Sequence, residues 1–260
     1  MEPIRLNEIP NGIKNIVGEI EEIKFPLQGY TSNVGVIQSN NGYFVIKRSQ
    51  GERYSTLLTK EVQILNQLSK SELLIPKVYY SIEDNNWFWT LMEYIEGETL
   101  RNYLSKENIQ IKREESLFNF GKSLSKIHST KCPSELIFGS QWIDDMLNQA
   151  EYITKHYNVD GSIKLLDKLK EDKPSFLNQT LIHGDYTIDN VLVKNGEITG
   201  IIDWSGGAYG DPRYDVSLAI RPKPNIFESK FDVKIFFEGY GKRIITDEDY
   251  KYFVGIYEFL

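Results

Sequence analysis

Apolar and polar residues alternate in short runs through the first third of the chain, and turn residues separate the runs. An alternation with a period of two is typical of β-strands that bury one face. Between Tyr54 and Ser69 the apolar residues instead follow helical spacing. The pattern therefore predicts a hairpin-rich antiparallel sheet with one inserted helix, the shape of a small nucleotide-binding lobe. Its predicted strands are Glu19–Pro26, Val34–Gln38, Tyr43–Lys47, Val78–Ile82 and Trp87–Met92.

Helical spacing dominates the rest of the chain, apart from three short apolar strands around residues 181–202. We therefore predict an α+β fold with two lobes. Residues 1–92 form the N-terminal nucleotide-binding lobe, 93–97 a hinge linker, and 98–260 the C-terminal catalytic and acceptor-binding lobe. The predicted helices are Thr99–Leu104, Glu115–His128, Asp144–Tyr157, Ser162–Leu169 and Val216–Ile220, and the strands are Leu181–Ile182, Val191–Val193 and Ile198–Ile202.

Composition narrows the class of protein without changing this organisation. The 260 residues include 40% apolar ones, enough for a sizeable core, and the formal net charge of −7 argues against nucleic acid as the main partner. The residues Met1–Arg5 lack the apolar character of a signal-peptide core, and no apolar run approaches the length of a membrane span, so we expect no membrane partner and a cytoplasmic protein. Composition leaves the oligomeric state open.

The loop between the predicted strands Leu181–Ile182 and Val191–Val193 contains the most informative chemistry. It reads His183-Gly184-Asp185, then Asn190 after four further residues, and Asp203 follows the third strand. Phosphoryl transfer needs a carboxylate beside the acceptor hydroxyl and oxygen ligands for Mg²⁺ on the nucleotide phosphates. Asp185 suits the first task as the catalytic residue, and Asn190 with Asp203 suits the second. We expect His183 to hold the loop by bonding its backbone.

Two features of the N-terminal half fit the same chemistry. Lys47 ends a predicted strand and Glu61 lies fourteen residues later in the predicted helix, so an ion pair would hold the ammonium over the α- and β-phosphates. The segment 29–35 lies between the first two strands, and its small residues Thr31 and Ser32 leave backbone N–H groups available to phosphate oxygens. A lysine on a strand and a Gly-Ser turn are each common without such a role.

Together with Gly210-Asp211-Pro212-Arg213-Tyr214-Asp215, these motifs resemble those of the aminoglycoside phosphotransferase family, whose members share the bilobal protein-kinase-like fold. The resemblance covers nearly the full length and is nearest to the aminoglycoside 3'-phosphotransferases. It implies ATP or GTP as phosphoryl donor with Mg²⁺, main-chain contacts of Glu93 and Ile95 with the adenine, and a small, cationic hydroxyl acceptor. An aminoglycoside antibiotic is the first candidate, and antibiotic resistance the corresponding role.

The same resemblance implies an acidic acceptor site. Glu258 and the carboxylate of Leu260 would contact substrate amines, and Asp144, Asp145 and Glu151 could supply further negative charge, although a solvated helix face explains those three equally well. Two other functions stay open. A metabolic kinase for choline, homoserine or a sugar would use the same catalytic residues. A pseudokinase that binds nucleotide without catalysis is disfavoured, because Lys47, Glu61, Asp185, Asn190 and Asp203 are all present.

Overall fold

The chain divides into two units in the computed structural model, which describes residues 3–26, 31–139, 141–157 and 159–259. The first unit comprises Met1–Gly97 and Thr199–Gly206, and the second comprises Glu98–Ile198 and Gly207–Leu260. The segment Thr199–Gly206, which the sequence assigns to the C-terminal lobe, thus belongs to the first unit. One hydrogen bond that attaches it there runs from the Ile201 N–H to Leu74 O, at 2.7 Å.

The first unit is a five-stranded antiparallel sheet with one long helix, as the alternation predicts. The strand order is β1-β2-β3-β5-β4, so the first three strands pair in the order in which they occur along the chain. A short helix before β1 was not predicted. The elements are α1 (Asn11–Val17), β1 (Ile20–Lys24), β2 (Asn33–Ser39), β3 (Gly42–Gln50), α2 (Glu52–Leu68), β4 (Val78–Asp84) and β5 (Trp87–Glu93).

Local sequence explains the hairpin between β4 and β5. Asn85 and Asn86 both have positive φ, 52° and 64°, a backbone conformation that asparagine tolerates better than most residues. The strand β4 therefore continues to Asp84, two residues beyond the predicted end, and leaves a two-residue turn. The core of this unit joins α1 to the sheet through buried residues that include Ile13, Val17, Ile37, Ile46 and Trp89.

The second unit is mainly helical, with short strands near its centre. A three-stranded sheet has the order β6-β8-β9, and β7 pairs with β10. The last three residues of β9 belong to the first unit. The elements are β6 (Glu98–Thr99), α3 (Leu100–Lys106), α4 (Gln110–Ser129), α5 (Trp142–His156), α6 (Ile163–Glu171), β7 (Thr180–Ile182), β8 (Val191–Lys194), β9 (Glu197–Ile201), β10 (Ala208–Gly210), α7 (Pro212–Ala219), α8 (Lys230–Tyr240) and α9 (Asp247–Tyr257).

Two glycines allow α4 and α8 to pack with their backbones in contact. A Cβ on Gly121 would lie 1.9 Å from Phe236 O, and one on Gly239 would lie 1.9 Å from Phe118 O. These distances leave room for a hydrogen atom only. A second core lies among α5, α6, α7 and α9, where Trp142, Leu166 and Phe253 are buried together.

No helix within the described ranges is both long and apolar enough to cross a membrane.

Candidate functional site

An ion pair between Lys47 and Glu61 is present in the first unit, as the sequence predicts. Lys47 lies on β3 and Glu61 on α2, and the Lys47 Nζ atom donates to both Glu61 carboxylate oxygens at 2.8 and 3.0 Å. The ammonium also donates to Asp203. Lys47 and Glu61 are only 6% and 3% exposed, so the pair is shielded from solvent screening.

The charges around Lys47 keep its ammonium protonated. Burial lowers the Lys47 pKa, but the carboxylates of Asp203 and Glu61 outweigh this effect and raise the pKa above its ordinary value. Burial has the opposite consequence for Glu61, whose pKa is raised although Lys47 opposes the change. A fixed positive charge therefore lies on the sheet of this unit, oriented by one helix glutamate.

Asp203 adopts a conformation that few non-glycine residues use. It follows β9 with a φ of 63°, and its side chain is 48% exposed although it accepts a hydrogen bond from Lys47. Trp204 begins the next turn, is fully buried and donates from Nε1 to Ile201 O at 2.9 Å. The buried indole fixes the turn, and backbone strain of this kind is concentrated at functional sites. The carboxylate of Asp203 is thus held in place with part of its surface open to a ligand.

The hinge linker is fixed at both ends within the first unit. The Glu93 N–H donates to Lys77 O at 2.8 Å, and Thr199 Oγ1 donates to Glu96 O at 2.9 Å. Gly200 lets the Ile95 side chain approach, since a Cβ at this glycine would lie 2.8 Å from Ile95 Cδ1. The backbone that the sequence assigns to adenine recognition is therefore held by its neighbours.

The predicted phosphate loop is only partly within the described residues. Gly29 and Tyr30 lie outside them. Thr31 is exposed and Ser32 is half-buried, directly before β2. A role of these two residues in phosphate binding stays a prediction.

Asp185 and Asn190 contact each other in the second unit, on the loop between β7 and β8. Asn190 Nδ2 donates to Asp185 Oδ2 at 2.7 Å and to Asp185 O at 2.8 Å. Both amide hydrogens thus face Asp185, which directs the Asn190 amide oxygen away from that carboxylate. The structure confirms that strands hold both ends of this loop.

A buried carboxylate on α7 fixes the start of this loop. Asp215 is 0% exposed and accepts hydrogen bonds from the backbone N–H groups of His183 (2.6 Å) and Gly184 (2.8 Å). Its Oδ2 atom also lies 3.2 Å from His128 Nε2. His183 in turn accepts a bond from the Asp185 N–H at its Nδ1, at 3.2 Å, which confirms the imidazole as a loop anchor.

Three further contacts of the loop were not predicted from the sequence. Tyr257 donates its hydroxyl to Asp185 Oδ1 at 3.4 Å, and burial, reinforced by Asp185, raises the pKa of this tyrosine to about 12. Tyr186 stacks on Phe120 at 4.8 Å and donates to Phe120 O at 2.9 Å. Arg101 pairs with Asp189. Each partner is distant in sequence, so no local spacing signals it.

The acidic residues assigned to the acceptor site mostly have basic partners. Asp144 binds Lys173 at 2.5 Å, and Glu151 binds Lys155 and Lys170 at 2.6 and 2.5 Å. The hydrogen bonds from these two lysines lower the pKa of Glu151 to about 2. Their charges are neutralised locally, so the solvated helix face describes these residues better.

The remaining acceptor residues divide between the described and undescribed parts of the chain. Asp145 is exposed on α5. Glu258 accepts a hydrogen bond from Arg221 Nη2 at 3.1 Å. It directly follows Tyr257, the residue that bonds Asp185. Leu260 lies outside the described residues. Within those residues, no group of three or more His, Cys, Asp or Glu side chains converges on a metal site.

Comparison with known proteins identifies a family and several relatives. The sequence model of the phosphotransferase enzyme family matches residues 22–249. The chain is 26% identical over 211 residues to the aminoglycoside 3'-phosphotransferase of Niallia circulans, covering 78% of each sequence. Its fold matches a crystal structure of a type VIII aminoglycoside-3'-phosphotransferase with a TM-score of 0.80 and 17% identity, over 96% of this chain and 97% of that one. It also matches a ternary complex of an aminoglycoside phosphotransferase with ADP and hygromycin B, with a TM-score of 0.68 and 17% identity, over 95% and 87%.

Proposed function

Because the chain belongs to the phosphotransferase enzyme family, we propose that it transfers the γ-phosphoryl group of ATP or GTP to a hydroxyl of a small, cationic molecule. The first candidate acceptor is an aminoglycoside antibiotic. The observation that carries the proposal is the arrangement of Asp185, which Asn190 holds by two hydrogen bonds on a loop that the buried Asp215 anchors. A cytoplasmic location and a role in antibiotic resistance are part of the same proposal.

In this mechanism Asp185 orients the acceptor hydroxyl and accepts its proton. The acceptor oxygen forms a bond to the γ-phosphorus while the bond from that phosphorus to the β-bridging oxygen breaks. The products are a phosphate monoester, a nucleoside diphosphate and the proton held by Asp185. In a loose transition state the proton moves late, so an ordinary carboxylate is basic enough. Asn190 and Tyr257 keep the carboxylate in one orientation.

The first unit supplies the nucleotide contacts in this proposal. Lys47 would bind the α- and β-phosphates with its charge fixed by Glu61, and the backbone around Thr31 and Ser32 would cover the phosphates. Main-chain groups of Glu93 and Ile95 would meet the base. The buried ion pair supports the first of these roles, because it fixes both the position and the charge of the ammonium.

The donor atoms of Asn190 and Asp203 fit Mg²⁺. Magnesium prefers oxygen ligands, and the Asn190 amide presents its oxygen away from Asp185 while the Asp203 carboxylate is half exposed. These two residues would supply oxygen ligands to the ion. When bound, Mg²⁺ neutralises charge on the nucleotide phosphates.

An acceptor panel tests the proposal. We expect kanamycin-like and other aminoglycosides to stimulate Mg²⁺-dependent ADP or GDP release in a coupled assay, whereas choline, homoserine and simple sugars give less. Asp185→Asn should lower turnover by about a thousandfold without unfolding the protein, on the scale of removing a group that acts in the transition state. Asp167→Asn, at an exposed position on α6, is the matched control.

Each outcome of the panel separates the alternatives. Stimulation by choline, homoserine or a sugar but by no aminoglycoside would replace the acceptor and keep the reaction. Absence of turnover with every acceptor, together with nucleotide binding, would favour the pseudokinase. Wild-type turnover by Asp185→Asn would contradict the assignment of the catalytic residue.

A further inference from the structure

Three basic side chains surround the catalytic loop within the second unit. Arg101 forms a two-pronged pair with Asp189, with its Nη2 atom 2.7 Å from Asp189 Oδ2. Arg221 binds Glu258, and its guanidinium lies over the Tyr257 ring, 5.2 Å from the centroid. Lys223 is the third. The proposed mechanism assigns no task to any of them.

Lys223 adds a third positive charge beside the catalytic loop. Its Nζ atom lies 4.0 Å from Asp189 Oδ2, an oxygen that already accepts a hydrogen bond from Arg101. Three basic groups thus share the carboxylates of Asp189 and Glu258. Burial lowers the Lys223 pKa. Asp189 and Asp185 oppose this change, whereas Arg101 and Arg221 lower the pKa further. Because Asp189 lies four residues after Asp185, the Lys223 ammonium lies beside the loop that carries Asp185.

A tight backbone turn holds Lys223 in this position. Pro222 and Pro224 flank it and restrict the backbone on both sides. The Lys223 N–H donates to Phe227 O at 2.6 Å, and the Phe227 N–H donates back to Lys223 O at 2.9 Å. The Phe227 side chain is fully buried. A lysine on the end of such a turn has its backbone position fixed, which a solvated surface lysine does not require.

We propose that Lys223, assisted by Arg221, binds the phosphate group of the phosphorylated product beside Asp185. This inference rests on the proposed function and adds an anion site on the acceptor side of the reaction. Once Asp185 releases the proton that it accepted, its carboxylate lies next to a doubly negative phosphate monoester, and like charges at this distance repel. The Lys223 ammonium, 4.0 Å from Asp189 on the same loop, offsets that repulsion. Lysine suits the task, because its flexible side chain ends in a compact charge that can follow the phosphate.

The competing explanation is that Lys223 only stabilises Asp189. That role is already filled, since Asp189 accepts two hydrogen bonds from Arg101. A second cation at 4.0 Å on a partly exposed carboxylate adds little stability, because solvent screens the pair. The two explanations differ in the kinetic quantity that they predict will change.

Kinetics on purified full-length variants provide the first test, with the best acceptor of the panel and its phosphorylated product. For Lys223→Gln we expect the product inhibition constant to rise about tenfold or more, the value of one charge-assisted contact, while the acceptor KM changes by less than about twofold. Lys223→Arg should recover most of the product affinity. Lys242→Gln, at an exposed position, should match the wild type. An unchanged inhibition constant, or an equal rise in the acceptor KM, overturns the inference.

A binding measurement separates this inference from the proposed function. We would methylate the lysines with ¹³C-formaldehyde, identify the Lys223 signal by its absence in Lys223→Arg, and titrate inorganic phosphate. A saturable shift of that signal, larger than with chloride at equal ionic strength, is expected even when turnover is absent. If the enzyme is active and the Lys223 signal does not shift when phosphate is added, the inference is overturned. Absence of turnover with an intact phosphate shift instead counts against the proposed function.

Discussion

Asp215 shows how much of a reactive loop can depend on one buried side chain. Its two oxygens accept the N–H groups of His183 and Gly184, and no solvent reaches them. In Asp215→Ala both backbone donors lose their acceptor, and each buried unsatisfied donor costs about 1–3 kcal/mol. We therefore expect the free energy of unfolding to fall by about 2–6 kcal/mol in urea titrations, and turnover to fall with it.

The matched control for Asp215 is Asp167→Ala, which removes an exposed carboxylate from α6. It should change the unfolding free energy by less than about 0.5 kcal/mol, as surface substitutions do. Equal effects of the two variants would show that the loop does not need this anchor.

The buried ion pair between Lys47 and Glu61 leads to a second prediction. Lys47→Met should lower the free energy of unfolding by about 3–5 kcal/mol, because it leaves Glu61 as an uncompensated buried charge. The double variant Lys47→Met/Glu61→Leu should recover part of the loss, since Asp203 is half exposed and can be solvated. Urea unfolding of the two variants and the wild type measures this. A double variant less stable than Lys47→Met would mean that packing, and not charge, dominates here.

Residue chemistry was the part of the site most accessible from the sequence. The spacing of Lys47 and Glu61 predicted an ion pair that is present, and His183 serves as the predicted anchor. Two acids near the start of α7, Asp211 and Asp215, have different tasks. Asp211 caps the helix and Asp215 holds the loop. Tyr257 could not be found, because seventy-two positions separate it from Asp185 and only tertiary packing brings the two together.

At the scale of elements, the contact between α4 and α8 supports the catalytic loop. Helix α4 carries Phe120, which stacks on Tyr186, and Gly121 in the next position meets the backbone of α8. Gly121→Ala should favour the helix by about 1 kcal/mol in propensity. The clash with Phe236 O at 1.9 Å outweighs that gain and forces the helices apart, at a typical overpacking cost of about 1–3 kcal/mol or more.

Thermal unfolding and turnover of Gly121→Ala check this prediction together. We expect a lower Tm and lower turnover, because the displaced Phe120 no longer supports Tyr186. Lys122→Ala, one residue further along α4 and exposed, is the control that keeps the helix propensity comparable. If Gly121→Ala were as stable as this control, the close approach of the two helices would not be needed for the fold.

The ends of a helix or strand can be predicted well when its apolar and polar residues lie on separate faces. The strands β2 and β3 were predicted well, since the alternation that defines them is also their burial pattern in the sheet. Helix α4 begins at Gln110, five residues before its predicted start, and Ile111 there is 64% exposed. An apolar residue on the solvent side conceals the helical period. The two-residue strand β6 is defined only by its pairing with β8, which no local pattern encodes.

At the scale of the whole molecule, the α+β kinase-like fold and the family were predictable because the catalytic motifs are specific. The division of the chain was less so. Thr199–Gly206 belongs to the unit formed by Met1–Gly97. The predicted lobes are contiguous in sequence, so they assign this segment to the C-terminal lobe. Alternation and helical spacing are local properties, whereas membership of a unit depends on contacts between distant segments.

The net charge of −7 gives the last prediction, which concerns the proposed cationic acceptor. Raising the salt concentration from about 0.05 M to about 0.5 M shortens the screening length roughly threefold. A polycationic aminoglycoside attracted by the negative protein should then bind less well, and we expect its KM to rise about threefold or more with kcat within about twofold. The nucleotide is itself an anion and provides the internal control, because its KM should stay flat or fall. Steady-state kinetics over the salt series measure both constants. An acceptor KM that does not respond to salt would show that negative charge plays no part in acceptor binding.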